Sequence, residues 1–136
     1  MQNILMILTK LLKLPILKRL VPSLLIRLLK ILKKNRGYFK IKDTKMYLDF
    51  LDPIDRELIL YNEFESLEIN YLIEKIKNYK INYFLDIGAN CGYYSFIVGK
   101  NVKNISIIAF EPNEEAFFKF SKSLDINSDL SKKINL

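Results

Sequence analysis

Histidine and tryptophan are absent from this 136-residue chain, and cysteine occurs once, at Cys91. Without histidine there is no Cys/His zinc site, no Ser-His or Cys-His nucleophile pair and no imidazole base. No metal site is expected. One cysteine excludes an intramolecular disulfide, and a lone thiol suits a reducing compartment. Long apolar runs are also lacking. The uncharged stretches at residues 1–9 and 20–26 fall short of the roughly 18–20 apolar residues that cross a bilayer. A cleavable signal peptide fits poorly, because the first charge arrives only at Lys10 and no small-residue cleavage site follows.

Acids are missing from one region only. Eleven of the 22 basic residues fall within residues 1–42, and none of the 15 acids do; the remainder of the chain is mildly acidic. The net charge of +7 and pI of 9.4 therefore belong to the N-terminus and do not indicate a nucleic-acid partner.

Three segments follow from composition and pattern: 1–36, 37–80 and 81–136. Residues 1–36 read as two short basic amphipathic helices separated by Pro15 and Pro22. In the second, Ser23 is placed to cap the start and Gly37 to end it, with Arg27, Lys30 and Lys34 on one face at i, i+3, i+7. Leu24, Leu25, Leu28, Leu29, Ile31 and Leu32 cover most of the remaining circumference. Such a helix either lies on an anionic membrane surface or packs on its own domain or a second subunit; periodicity alone leaves both open. The localisation expected is cytoplasmic, with peripheral contact at the inner face of the membrane on the first of these readings.

Residues 38–50 alternate as a hairpin, with Phe39 and Ile41 on one face, then Met46, Leu48 and Phe50, and Asp43-Thr44 at the turn. Asp52-Pro53 starts a turn or short helix. A further helix is expected over 67–77, a strand over 83–86, a helix over 93–100, a strand over 105–110, and a last helix capped by Asn113. That last helix should turn Ala116, Phe117, Phe120 and Leu124 inward. Strand, helix, strand, helix with short connections makes a βαβα unit with parallel strands, and the first strand, apolar up to its last residue, should be covered on both faces.

Glycine is scarce, with four in the chain, and two of the four sit where the first strand ends: Phe84-Leu85-Asp86-Ile87-Gly88-Ala89-Asn90-Cys91-Gly92-Tyr93-Tyr94-Ser95. The second strand also ends in an acid, within Ala109-Phe110-Glu111-Pro112-Asn113. A backbone loop at one strand tip and a carboxylate on the next is how an open α/β sheet holds an adenosine-containing cofactor. The spacing is G-x-x-x-G, not the G-x-G-x-x-G of a dinucleotide site, where a pyrophosphate rests on the helix N-terminus. S-adenosylmethionine has no phosphate but carries an ammonium and a sulfonium, which Asp86 is placed to offset. Glu111 is placed to accept from both ribose hydroxyls. Asn113 either touches the adenine edge or caps its helix. Ser95 is a further cofactor contact, and the two tyrosines read as packing. Cys91, with no basic neighbour to lower its pKa, reads as a small loop residue rather than a nucleophile.

These residues resemble the N-terminal half of an FkbM-type methyltransferase domain. The resemblance covers residues 47–127, through Asp52-Pro53-Ile54-Asp55-Arg56, Glu63-Phe64-Glu65, the loop around Asp86–Gly92 and the Ala109–Asn113 segment. It implies a Rossmann-like class I α/β fold and S-adenosylmethionine-dependent O-methylation of a hydroxyl on a sugar or other secondary metabolite. The resemblance carries over Asp86, Gly88, Asn90, Gly92 and Glu111 as cofactor residues and Glu65 as a further cofactor-binding candidate near the site; Ala89, in the same loop, is expected to line the cofactor as well. Asn62 and Ser66 stand where the family more often has Gly and Pro, and the later strands with the acceptor-facing residues have no counterpart here. The expectation is therefore a domain cut after its second βα unit. No acceptor base can be named, and the 136 residues alone are not expected to catalyse transfer. Order is expected to centre on Leu85, Ile87, Ile107, Ala109, Phe117 and Phe120. The alternatives are a non-catalytic remnant or membrane-surface interaction module and, on glycine spacing the least favoured, an NAD-dependent oxidoreductase.

Overall fold

The computed structural model describes residues 15–32 and 34–136. The first of the two expected basic helices lies mostly outside them. Helix α1 spans Pro15–Leu32 and runs through Pro22 without a break. The expected separation at Pro22, with Ser23 as a cap, is thus corrected. Proline inside a helix removes one hydrogen bond and crowds the preceding turn, and a leucine-rich 18-residue segment tolerates that loss. Nor does Gly37 end the helix; it lies in strand β1, Arg36–Ile41.

β1 and strand β2, Thr44–Asp49, form a two-stranded sheet. Lys42 takes the left-handed φ of 49° that the connection needs. Helix α2, Pro53–Tyr61, starts at Asp52, whose side chain accepts from the Ile54 and Asp55 amides. Proline follows the cap, where its missing N–H costs nothing. Helix α3 spans Ser66–Asn78, strand β3 Tyr83–Ile87, helix α4 Tyr93–Asn101, strand β4 Ser106–Phe110, helix α5 Glu114–Asp125, helix α6 Ser128–Ser131 and strand β5 Ile134–Asn135.

The chain divides into two compact units. One holds Leu48–Phe64 with the described residues up to Lys42; the other holds Asp43–Tyr47 and Glu65–Leu136. In the first, Phe39, Ile41, Leu48, Phe50 and Leu58 are buried, and α2 packs on β1. Asp49 ties this unit together: its carboxylate accepts from Asn35 Nδ2 at 2.8 Å, Arg36 Nε at 2.7 Å and the Leu51 amide at 2.8 Å. The Asp49 amide in turn donates to the buried Asp55 carboxylate.

The second unit is mixed α/β, built on a parallel three-stranded sheet in the order β3-β4-β5. Tyr83 pairs with Ser106 and Ile87 with Phe110, while Ile107 pairs with Ile134. The third strand extends the sheet beyond the two that sequence reading anticipated. At two residues it is too short to carry a periodic signal. Lys133 sets it in place, donating to the Gly99 and Val102 carbonyls at the end of α4, where a cation also suits the helix dipole.

Among the described residues, one face of this sheet is covered and the other is not. Ile107, Ala109 and Ile134 are buried, whereas Tyr83, Leu85, Ile87, Ile108 and Phe110 are exposed. The expectation that β3 is enclosed on both sides, with Leu85 and Ile87 in the core, is corrected. Helix α5 also turns differently from the expected stripe. Ala116, Lys119, Phe120 and Ser123 are its buried residues, and Phe117 is exposed. Ser123 earns its inward position by bonding: its hydroxyl accepts from the Tyr47 amide and donates to the Lys119 carbonyl.

Candidate functional site

The tips of β3 and β4 carry the glycine loop and the second acid. The loop is stitched to the neighbouring strand end: the Gly88 and Ala89 amides both donate to the Phe110 carbonyl, at 2.9 and 3.0 Å. The Gly92 amide then donates to the Ala89 carbonyl at 2.8 Å, closing the turn. Gly88 and Gly92 have φ of 78° and 84°, in the left-handed region that glycine occupies without penalty. Their surroundings differ. A Cβ on Gly88 would meet no atom within 4 Å, so this backbone faces open space. A Cβ on Gly92 would lie 2.3 Å from the Phe120 ring. One glycine stands beside open space; the other lets α5 close on the loop.

Asn90 shares the left-handed conformation, with φ of 51°. Its amide donates to Glu111 Oε2 at 2.7 Å, and the other oxygen, Oε1, accepts from the Asn113 amide at 2.7 Å. Glu111 therefore bridges the loop after β3 and the start of α5. Each carboxylate oxygen keeps a second lone pair for a further donor. The Asn90 Oδ1 atom is buried and has no hydrogen-bond partner among the described residues. Asn113 caps α5, its side chain accepting from the Ala116 amide at 3.0 Å.

Asp86 lies on the covered face of β3 and accepts from the buried Ser95 hydroxyl at 2.5 Å. Burial raises the Asp86 carboxyl above the ordinary carboxylate range; the Ser95 bonds oppose that shift and the negative charge of Glu111 adds to it. Glu65, at the start of α3 with φ of 44°, accepts from the Tyr94 hydroxyl at 2.7 Å. Burial and the Glu65 carboxylate hold the Tyr94 phenol far above its usual range, so it remains a donor. Tyr94 was expected only to pack; its bond anchors Glu65 to the first turn of the helix that follows the loop. Cys91 is buried within the loop.

Asp86, Gly88, Ala89, Asn90, Gly92, Ser95, Glu111 and Asn113 are thus joined through one bonded loop and its two flanking strand ends, and Glu65 is tied to the same helix start through Tyr94. Two features escaped sequence reading. The Phe110 carbonyl is the loop's main anchor, and a backbone acceptor leaves no residue signal. Phe120 fills the space beneath Gly92, which only the inward stripe of α5 hints at.

Two clefts in this unit, of about 410 and 330 Å³, are lined by Tyr83 and Ser106 among others and so open at the opposite ends of the strands. They share no residue with the glycine loop. Among the described residues no cluster of acidic or cysteine side chains is arranged to hold a metal ion. Comparison of the chain with protein-family models and with curated proteins returns no match.

Proposed function

We propose that the second unit is part of a Rossmann-like class I methyltransferase domain that binds S-adenosylmethionine and serves methyl transfer to a hydroxyl of a small molecule or glycan. The observation that carries this reading is the Glu111 carboxylate at the tip of β4, bonded to the Asn90 amide of the glycine loop at the tip of β3. An adenosine held across two parallel strand ends needs that pairing: backbone open to close approach on one strand, a hydroxyl acceptor on the next.

The residues present fit the cofactor's chemistry. Gly88 leaves room at the loop, Glu111 retains acceptor capacity for ribose hydroxyls, and Asn90 Oδ1 is a buried acceptor awaiting a donor. Asp86 and Glu111 repel one another, and a cation between them would lower that cost, as the cofactor's ammonium and sulfonium can. When bound, the sulfonium makes its methyl group electrophilic. The task of these side chains is then to orient the cofactor and hold its charges.

Calorimetric titration of the full chain decides the matter. S-adenosylmethionine should bind, and Glu111→Ala should weaken binding by about 1–3 kcal/mol as ribose hydrogen bonds are lost. Unchanged affinity in that variant rejects the ribose role. Tight NADH binding in place of S-adenosylmethionine rejects the cofactor assignment and favours an oxidoreductase.

A further inference from the structure

Helix α1 presents three different faces. Leu29 is buried, with Leu25 and Ile26 half-buried beside it. A second stripe stands in solvent: Leu24 is 62% exposed, Leu28 51%, Ile31 78% and Leu32 52%. These four recur at the i, i+4, i+7, i+8 spacing of a single helical face. Alongside that stripe run Arg27 and Lys30, both exposed, with Lys34 exposed just past the helix end. Packing therefore occupies one side of the helix and leaves an apolar strip with a cationic border on another.

We propose that this strip docks in the interfacial layer of a membrane whose headgroups are anionic, with Leu24, Leu28, Ile31 and Leu32 among the upper acyl chains and Arg27, Lys30 and Lys34 at the headgroups. Charge chooses this occupant over a second copy of the chain. Two α1 strips brought together would set like-charged borders against one another, whereas an anionic surface neutralises them. The first acid in the sequence is Asp43, so the whole segment before it adds to the attraction. The helix lies on the membrane and does not cross it: no helix among the described residues is long and apolar enough to span. This reading is independent of the cofactor assignment. For a methyltransferase it would favour acceptors presented at the membrane surface.

The test is co-sedimentation of the full chain with vesicles of neutral phosphatidylcholine, or of phosphatidylcholine with about 30% phosphatidylserine. Binding should require the anionic lipid and weaken strongly at about 0.5 M salt. Arg27→Gln with Lys30→Gln should lower partitioning roughly 30-fold, from about one kcal/mol for each charge. Leu28→Ser with Ile31→Ser should lower it at least about 10-fold through lost apolar burial. Circular dichroism checks that each pair folds; Leu24→Ser with Leu32→Ser replaces the apolar pair if it does not. Equal sedimentation with neutral and anionic vesicles overturns the proposal, as does full binding by the charge pair and the apolar pair. A dimer seen by light scattering that the apolar pair dissociates would also overturn it, assigning the strip to a second copy.

Discussion

Two aspartates illustrate how one residue type is put to opposite uses. Burial alone would raise the Asp49 carboxyl, but bonds from Asn35, the Leu51 amide and Arg36 outweigh it and hold the group below the ordinary range. Asp86 has the Ser95 hydroxyl and, among the described residues, no cation beside it, and burial leaves it raised. The linked stabilities run in opposite directions. The Asp49 contribution is present above its unfolded pKa of about 3.9 and is lost as pH falls through its lower folded value. The Asp86 contribution is greatest below about 3.9 and is lost as pH rises through its higher folded value. Urea midpoints should accordingly separate the two variants. Asp49→Asn should be less stable than the parent at pH 7, with the gap closing in acid. Asp86→Asn should gain on the parent between acid and pH 7, because an amide carries no charge to bury. A parallel pH response of the two variants would show that the Ser95 bond dominates burial at Asp86.

Helices and strands were legible in the sequence wherever a local signal fixed them. Asp52-Pro53 marks the start of α2 by cap and N1 proline together, and Asn113 with two following acids marks α5. The glycine loop and its two flanking acids were legible for the same reason: strand, turn and acid lie within a few residues of one another. What failed depends on neighbours distant in sequence. Pro22 stays helical because the rest of α1 carries it. Lys119 and Ser123 turn inward on α5, against residue type. β5 exists through pairing with β4 and through Lys133. The contact between elements at Gly92 gives a sharp test. Gly92→Ala forces a Cβ into the Phe120 ring at left-handed φ, and should cost about 2–4 kcal/mol by urea unfolding. Gly88→Ala has the same backbone handicap with open space around it, so its cost should be only roughly 1–2 kcal/mol. Equal costs at the two positions would mean that α5 does not close on the loop in solution.

At the largest scale the parallel sheet of the second unit is unusual in having one face that no described residue covers. Parallel sheets are ordinarily covered on both sides, yet Leu85, Ile87, Ile108 and Phe110 form a contiguous exposed row across β3 and β4, in register through the Leu85–Ile108 and Ile87–Phe110 pairs. Strand β3 is also an edge of that sheet among the described strands, so apolar surface and a sheet edge coincide. Such a surface promotes self-association. Leu85→Thr with Ile87→Thr keeps strand preference while making the row polar, and should reduce light scattering and dye binding at a stability cost within about 0.5–1 kcal/mol. Ile107→Thr, on the covered face of β4, places a hydroxyl among buried apolar groups and should cost about 2–4 kcal/mol. The contrast between the two faces is the quantity to measure. If the Leu85 and Ile87 pair costs as much as Ile107→Thr, then that row is buried in the folded protein and the sheet is a two-sided core after all.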